Sequence, residues 1–457
     1  MTIPPRSADS TTNLGPDRRT VLKGAATLGA AGALAAHGAA QSESRSEVPS
    51  NGAGDAELRI ALVGCGGRGT GAAVQALNAA GNARLVAMAD AFADRLAGSL
   101  DHISKQHEGK VDVPKERQFV GFDAFQRAID SDVDVVILAT PPGFRPAHFD
   151  YAVSKGRHVF MEKPVAVDGP GVRKVFAAAA RAKEAGLKVG VGLQRHHSAK
   201  YTETIERLRA GEFGQALVSR VYWNSAGVWV VDRKPEWSEM TYQMRNWYYF
   251  NWLCGDQIVE QHIHNLDVGN WIMDDHPVSC HGMGGREVRT GDRYGEIYDH
   301  FAIEYVYGDG RRMQSQCRHH PQTRQQVDEF AHTSEGILHV GGGRFTPHAS
   351  SKTEAWRFRD EDPNHFQVEH DALFAAIRSG VEHVEADRGA TATLTAIMGR
   401  MAAYSGKEVT WDQALRSERV LAPMEDLAAL TFDTAPRSQP DAAGLYPIPV
   451  PGQFELG

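Results

Sequence analysis

Between residues 58 and 193 the apolar positions fall in short runs with at most one charged or polar residue each, at 58–63, 83–89, 133–139, 158–161 and 188–193. Runs of this length read as strands buried on both faces, the signature of a parallel sheet interior. Helical patterns separate them at 70–79, 148–155 and 171–185, the last with Pro170 ahead of it as a start signal. Strand alternating with helix predicts a doubly wound α/β sheet. From about residue 200 the pattern shifts toward period two. Residues 216–223 and 337–340 predict strands, and 301–307, Gly308-Asp309-Gly310 and 311–318 predict a β-hairpin. Helices are expected at 366–379 and 389–405, the second closing back toward the first domain. The expected organisation is a first domain over 57–195, a second over 196–430 and a Pro/Gly-rich irregular tail over 431–457.

The first strand opens into Gly64-Cys65-Gly66-Gly67-Arg68-Gly69, and the second ends on Asp90, 21 residues beyond Gly69. Strand, glycine turn, helix, strand and acid is the order a dinucleotide site requires. Gly64 permits the tight turn, Gly66 lets the backbone approach a pyrophosphate, and Gly69 allows close helix packing. The helix start then turns its positive end toward the phosphates. Asp90 is placed to accept hydrogen bonds from the adenosine ribose. No Lys or Arg directly follows it, so NAD is expected over NADP. Ligands of an open parallel sheet lie beyond the carboxyl ends of its strands, where Thr140, Pro141, Lys163 and Gln194 sit.

Together with Ala139-Thr140-Pro141-Pro142, His148, Lys155-Gly156-Arg157-His158-Val159 and above all Glu162-Lys163-Pro164, this loop resembles the glucose-fructose oxidoreductase / inositol dehydrogenase / MocA (Gfo/Idh/MocA) family. The resemblance covers residues 57 to about 425. It implies a Rossmann domain followed by an α+β domain with a large, mostly antiparallel sheet, whose exposed face pairs subunits into a homodimer or homotetramer. It places Gly67, Arg68, Thr140, Pro141, His148, Glu162 and Gln194 around the cofactor, and Lys163 between nicotinamide and substrate. An ammonium there can stabilise an alkoxide as hydride leaves.

The family also carries an Asp and a His four residues apart; alignment on His264 puts Glu260 at the Asp position. On one helix these two share a face. His264 is the expected general acid/base, with Glu260 orienting substrate or tuning the histidine. The longer Glu departs from the family and leaves the substrate open. A metal held by Glu260, His262 and His264, with His319 and His320 from elsewhere, is the competing use. His262 points off the shared face of a continuous helix, and two ligands fall short of a metal shell, so no metal is expected. The aromatic run 245–252 suits either a sugar-stacking platform or core packing. Arg195, His196 and Tyr201 are further candidates to face substrate.

Near the N-terminus, Arg18-Arg19 precedes a weakly apolar Ala/Gly-rich stretch over 21–40, with small residues at Gly38 and Ala40. This resembles a twin-arginine signal over 1–40, followed by a linker over 41–56, and implies export of the folded protein to the periplasm by that machinery. The stretch is too short and too weakly apolar for a stable membrane anchor. A net charge of −8 argues against nucleic acid as a partner. Four scattered cysteines without a CxxC do not form a disulfide framework, although one long-range bridge stays open.

Because free nicotinamide cofactor is not expected outside the cytoplasm, an exported NAD protein must carry its cofactor tightly bound and regenerate it in place. The leading expectation is an oxidoreductase of sugar or polyol hydroxyls in which a second substrate takes the hydride back. A different class is a redox-neutral glycosidase or lyase, working by transient sugar oxidation and elimination. A non-catalytic binding protein is the third, and intact Lys163 and His264 argue against it.

Overall fold

The computed structural model describes residues 56–456, apart from Met424 and Asp426. The signal-like segment lies outside the described residues.

The first half alternates strand and helix as the apolar runs require. It comprises β1 (Leu58–Val63), α1 (Gly67–Asn78), β2 (Ala83–Asp90), α2 (Ala93–Gln106), β3 (Gln118–Val120) and α3 (Ala124–Asp130). It continues with β4 (Val135–Leu138), α4 (Arg145–Ser154), β5 (His158–Met161), α5 (Gly169–Glu184) and β6 (Val189–Val191). All six strands are parallel, in the order β3-β2-β1-β4-β5-β6. The order reverses between β1 and β4, which opens a crevice at their carboxyl ends. Every residue of β4 is buried, because helices cover both faces of the sheet.

The second half holds α6 (Ala199–Arg209), β7 (Ala216–Ser225), α7 (Glu239–Arg245), α8 (Asn251–Cys254), α9 (Gln257–Glu260) and α10 (Ile263–Met273). Six strands follow, β8 (Pro277–Gly285), β9 (His300–Tyr307), β10 (Arg312–His319), β11 (Gln326–Thr333), β12 (Gly336–His339) and β13 (Arg344–Pro347). The chain ends its regular structure with β14 (Trp356–Arg357), α11 (His365–Ser379), α12 (Ala386–Ser405), β15 (Val409–Thr410) and α13 (Trp411–Arg416). The second sheet runs β14-β13-β12-β11-β7-β10-β9-β8-β15. It is antiparallel except where β7 and β10 run parallel. The predicted hairpin is β9–β10, with Phe301 opposite Cys317.

Two helices from the C-terminal part close on the first sheet, where the sequence pattern pointed to one. Helix α12 is buried along nearly its whole length and packs against α5, β8 and α10. Such all-round burial removes the amphipathic stripe that would show which face points where. Helix α11 puts Leu373 and Phe374 into the same cluster as Ile60, Leu62 and Ala76. Among the described residues the tail over 431–456 has no helix or strand, yet it packs Tyr446 against Phe250 and Phe454 against Tyr404. All four cysteines are buried and free, so the long-range bridge left open above is absent.

Candidate active site

Strand β1 delivers the glycine loop into the crevice. Gly64 has φ +98°, and a Cβ there would lie 2.6 Å from the Ala139 carbonyl carbon. A Cβ on Gly69 would sit 1.9 Å from the Gly64 oxygen. Gly66 and Gly67 instead face open space. Helix α1 starts at Gly67 with no side-chain cap and no acid in its first turn. Its first N–H groups are therefore free to receive an anion.

Asp90, at the end of β2, accepts from the Cys65 N–H at 2.7 Å and the Phe92 N–H at 2.8 Å. Burial raises its proton affinity, and these two donors oppose the rise. Gly64, Gly66, Gly67, Arg68, Gly69, Asp90, Thr140, Pro141 and His148 all line one groove of about 520 Å³. That is the size of a small-molecule site. Open glycines, an uncapped helix start and an acid beyond the second strand fit the pyrophosphate and ribose of NAD. Asp90→Asn is expected to weaken NAD binding about 10–100-fold, through loss of a charge-assisted hydrogen bond, as read by calorimetric titration.

His148 stacks on Phe125 at 4.0 Å, its Nδ1 3.2 Å from the Thr140 hydroxyl. Burial, then Arg145, pull its pKa down to about 3, so it is neutral. The groove's other wall is Phe92, Arg95, Trp229, Arg245 and Trp247; sequence inspection singled out the run that holds Arg245 and Trp247 and missed Phe92, Arg95 and Trp229. Arg245 lies over the Phe92 ring at 3.8 Å and pairs with Asp94 at 2.8 Å. The aromatic run 245–252 therefore divides. Trp247 lines the groove, while Tyr248, Tyr249, Phe250 and Trp252 are core.

Glu162, Lys163 and Gln194 do not line the groove. Glu162 is buried and paired with Arg68 of the glycine loop, which also reaches Glu369 of α11 at 3.4 Å. Gln194 begins a tight turn after β6, and its Oε1 is buried without a partner. Lys163 Nζ donates to Glu260 Oε1 at 3.0 Å and to the Glu260 backbone carbonyl. The Lys163–Pro164 peptide is cis. Behind it the fully buried Arg145 bonds the carbonyls of Leu138 at 2.9 Å and Pro164 at 3.3 Å. Burial lowers the Arg145 pKa to about 10, while Glu162 and Glu260 oppose that fall. Arg145 thus ties β4 to the Lys163 turn, a role its place in Phe144-Arg145-Pro146 did not signal.

The single helix expected through Glu260 and His264 is broken. Helix α9 ends at Glu260 and α10 starts at Ile263; the His262 N–H reaches back five residues to the Gln257 carbonyl, at 3.1 Å. The i, i+4 relation is lost, and Glu260 is met by Lys163. Burial raises the Glu260 proton affinity, and Lys163 opposes the rise. His264 is buried and stacks with Trp223 at 6.1 Å. Burial, then the charges of Lys163 and Arg195, hold its pKa well below the ordinary histidine value. Its ring is therefore neutral at physiological pH, and Nδ1 has no hydrogen-bond partner.

His262 turns away from Glu260 and His264 to the Ser315 hydroxyl at 2.8 Å. Among the described residues, the His/carboxylate group close enough to hold an ion is Asp299, His300 and His320. There Asp299 already accepts from both imidazoles and from three backbone N–H groups. Arg195 and Tyr201 are committed to buried Glu329, and His196 to Asp267 at 2.8 Å. None of the three lines the groove.

Residues 58–193 match the Gfo/Idh/MocA family model, described as an oxidoreductase family with an NAD-binding Rossmann fold. That stretch of the chain is thus similar to the NAD-binding domain of this oxidoreductase family. Inositol 2-dehydrogenase 3 of Saccharopolyspora erythraea is 27% identical over 257 residues, 56% of this chain and 65% of that protein. The chain thus spans just under two thirds of that curated relative. Two solved structures share the fold beyond the NAD-binding domain. The aldose-aldose oxidoreductase of Caulobacter crescentus, complexed with glycerol, aligns over 78% of this chain and 100% of its own, at TM-score 0.60 and 19% identity. The scyllo-inositol dehydrogenase of Lactobacillus casei, with NAD(H) and scyllo-inositol bound, aligns over 78% and 100%, at 0.57 and 19%.

Proposed function

We propose that this Gfo/Idh/MocA protein is an exported NAD-dependent oxidoreductase of sugar or polyol hydroxyls that keeps its cofactor bound. The observation that carries this reading is the Lys163–Glu260 pair, whose lysine charge reaches His264 and which is linked to the glycine loop through Glu162 and Arg68. Bound NAD supplies a hydride acceptor at its nicotinamide ring. Lys163 donates a hydrogen bond to the reacting hydroxyl oxygen and stabilises the negative charge that grows there. Neutral His264, with its free Nδ1, takes the hydroxyl proton. Glu260 holds the ammonium in place and keeps the buried pair neutral overall. The relatives acting on inositols and aldoses support a polyhydroxylated substrate. Export rests on Arg18-Arg19 and the stretch after it.

The test is the absorbance of the full-length protein purified from the cytoplasm. A near-ultraviolet band of reduced nicotinamide is expected to survive gel filtration and to change on addition of a sugar or polyol. Protein that emerges free of nucleotide and works only with cofactor added continuously would refute retention. The raised proton affinity of Glu260, close to Lys163, also suits the proton transfers of a redox-neutral eliminase. Release of aglycone from a glycoside without net oxidation would select that second reading.

A further inference from the structure

A second cavity, of about 470 Å³, shares no lining residue with the cofactor groove. It lies between α8, α12 and the C-terminal tail. Arg400 of α12 lines it at 5% exposure. Its Nη1 donates to the Gly255 carbonyl at 2.9 Å. It forms no ion pair with any described residue, and its other nitrogens keep access to the cavity. A guanidinium carries five N–H donors, and burying one without an anion in contact is costly.

The acids nearby are already committed, two of them, Asp168 and Glu296, in the lining itself; Asp168 accepts from the backbone N–H groups of Gly171, Leu421 and Ala422. Asp256 accepts from the backbone N–H groups of Gln257 and Tyr298 and from the Tyr404 hydroxyl. Glu296 accepts from the Asn251 N–H and the Ser438 hydroxyl, both at 2.8 Å. Two more guanidiniums, Arg419 and Arg437, line the same cavity from exposed positions. Arg419 bonds the Glu455 carbonyl at 3.1 Å and lies over the Phe454 ring at 4.3 Å. Arg437 bonds the Val420 carbonyl at 2.6 Å. Three guanidiniums, two at exposed positions and one at depth, outnumber the two committed carboxylates of the lining and favour an anion, while Phe454 and Trp252 offer apolar walls.

We propose that this cavity is a binding site for a small oxyanionic metabolite, a phosphate or a carboxylate. Arg400 holds the oxyanion at the base, and Arg419 and Arg437 close on it from the mouth. The cavity has the volume of a small-molecule site.

The test uses the full chain saturated with NAD, so that the pyrophosphate cradle of the glycine loop is filled. Inorganic phosphate and citrate are titrated separately by calorimetry at constant ionic strength. One saturable site per chain is expected for at least one of them. Binding of phosphate alone marks a phosphate site, and of citrate alone a carboxylate site. Arg419→Gln/Arg437→Gln, changed at exposed positions, is expected to fold and to lose affinity at least tenfold. Arg400→Gln is expected to abolish binding; should it fail to fold, the double variant decides. No saturable binding of either anion, or unchanged affinity in the double variant, overturns the proposal.

Discussion

Lys163→Ala is expected to lower turnover by about 10³-fold while NAD affinity stays within about twofold of the parent. Removing one pre-organised donor to a developing oxyanion costs about 10²–10³ in rate. Here the loss is compounded, because Glu260 then stands buried beside the substrate without its ammonium. Breaking one side of a buried pair costs about 3–5 kcal/mol, so part of the effect will register as stability. Lys163→Met/Glu260→Gln separates the two. It removes both charges, restores stability and leaves turnover low. Steady-state rates on the responding polyol, read beside thermal unfolding of each variant, decide the matter. Near-full turnover in the alanine variant would remove Lys163 from the chemistry.

Gly69→Ala is expected to abolish measurable NAD binding and to destabilise the fold by about 3 kcal/mol. The added methyl would lie 1.9 Å from the Gly64 oxygen, so strand β1 and helix α1 must move apart. That movement opens the turn holding the phosphate-facing N–H groups. Gly66→Ala is the informative partner. Its Cβ meets nothing within 4 Å, so the fold should keep its stability. The methyl nevertheless projects where a pyrophosphate would approach, and affinity should fall by at least about tenfold. Denaturant unfolding and NAD titration on both variants give the comparison. A Gly66→Ala protein that binds NAD like the parent would place the phosphates elsewhere.

The parts of this site that lie close together in sequence were legible before the structure. The glycine loop, the acid ending β2 and the lysine after β5 are each fixed by local spacing, because a strand end and the turn after it occupy one place in a parallel sheet. The apolar runs marked five of the six parallel strands for the same reason, since a strand covered on both faces has few polar positions to interrupt it; the short edge strand β3, with no fully buried residue, was not marked. Helices α2 and α3 and strands β8 and β11 were not foreseen. Helix α2 buries only Leu96, Ser99 and Ile103, too few apolar positions to stand out against its charged residues.

Contacts between distant segments were not legible. Lys163 and Glu260 are 97 residues apart, and Arg68 and Glu162 are 94 apart. Periodicity reports which face of an element is buried and is silent about its partner. The break between α9 and α10 shows the cost of reading spacing alone. The four-residue separation of Glu260 and His264 implied a shared helical face, yet a tertiary constraint overrode it. Asp256 takes φ +77° at the start of α9, held by Tyr298 and Tyr404. That anchoring fixes where α9 begins, and the break after Glu260 is marked by the His262 N–H bonding the Gln257 carbonyl five residues back.

The sequence by itself determined a doubly wound nucleotide domain, the position of its glycine loop and acid, and the lysine at the fifth strand end, because each follows from short-range geometry along one chain segment. Only the tertiary structure decided that Arg68 joins the loop to Glu162, that Arg145 braces the Lys163 turn, and that Trp229, Arg245 and Trp247 wall the groove. Those choices depend on which surfaces meet when two sheets and α12 pack together, and burial in that packing is what shifts the ionisation of Glu260 and His264.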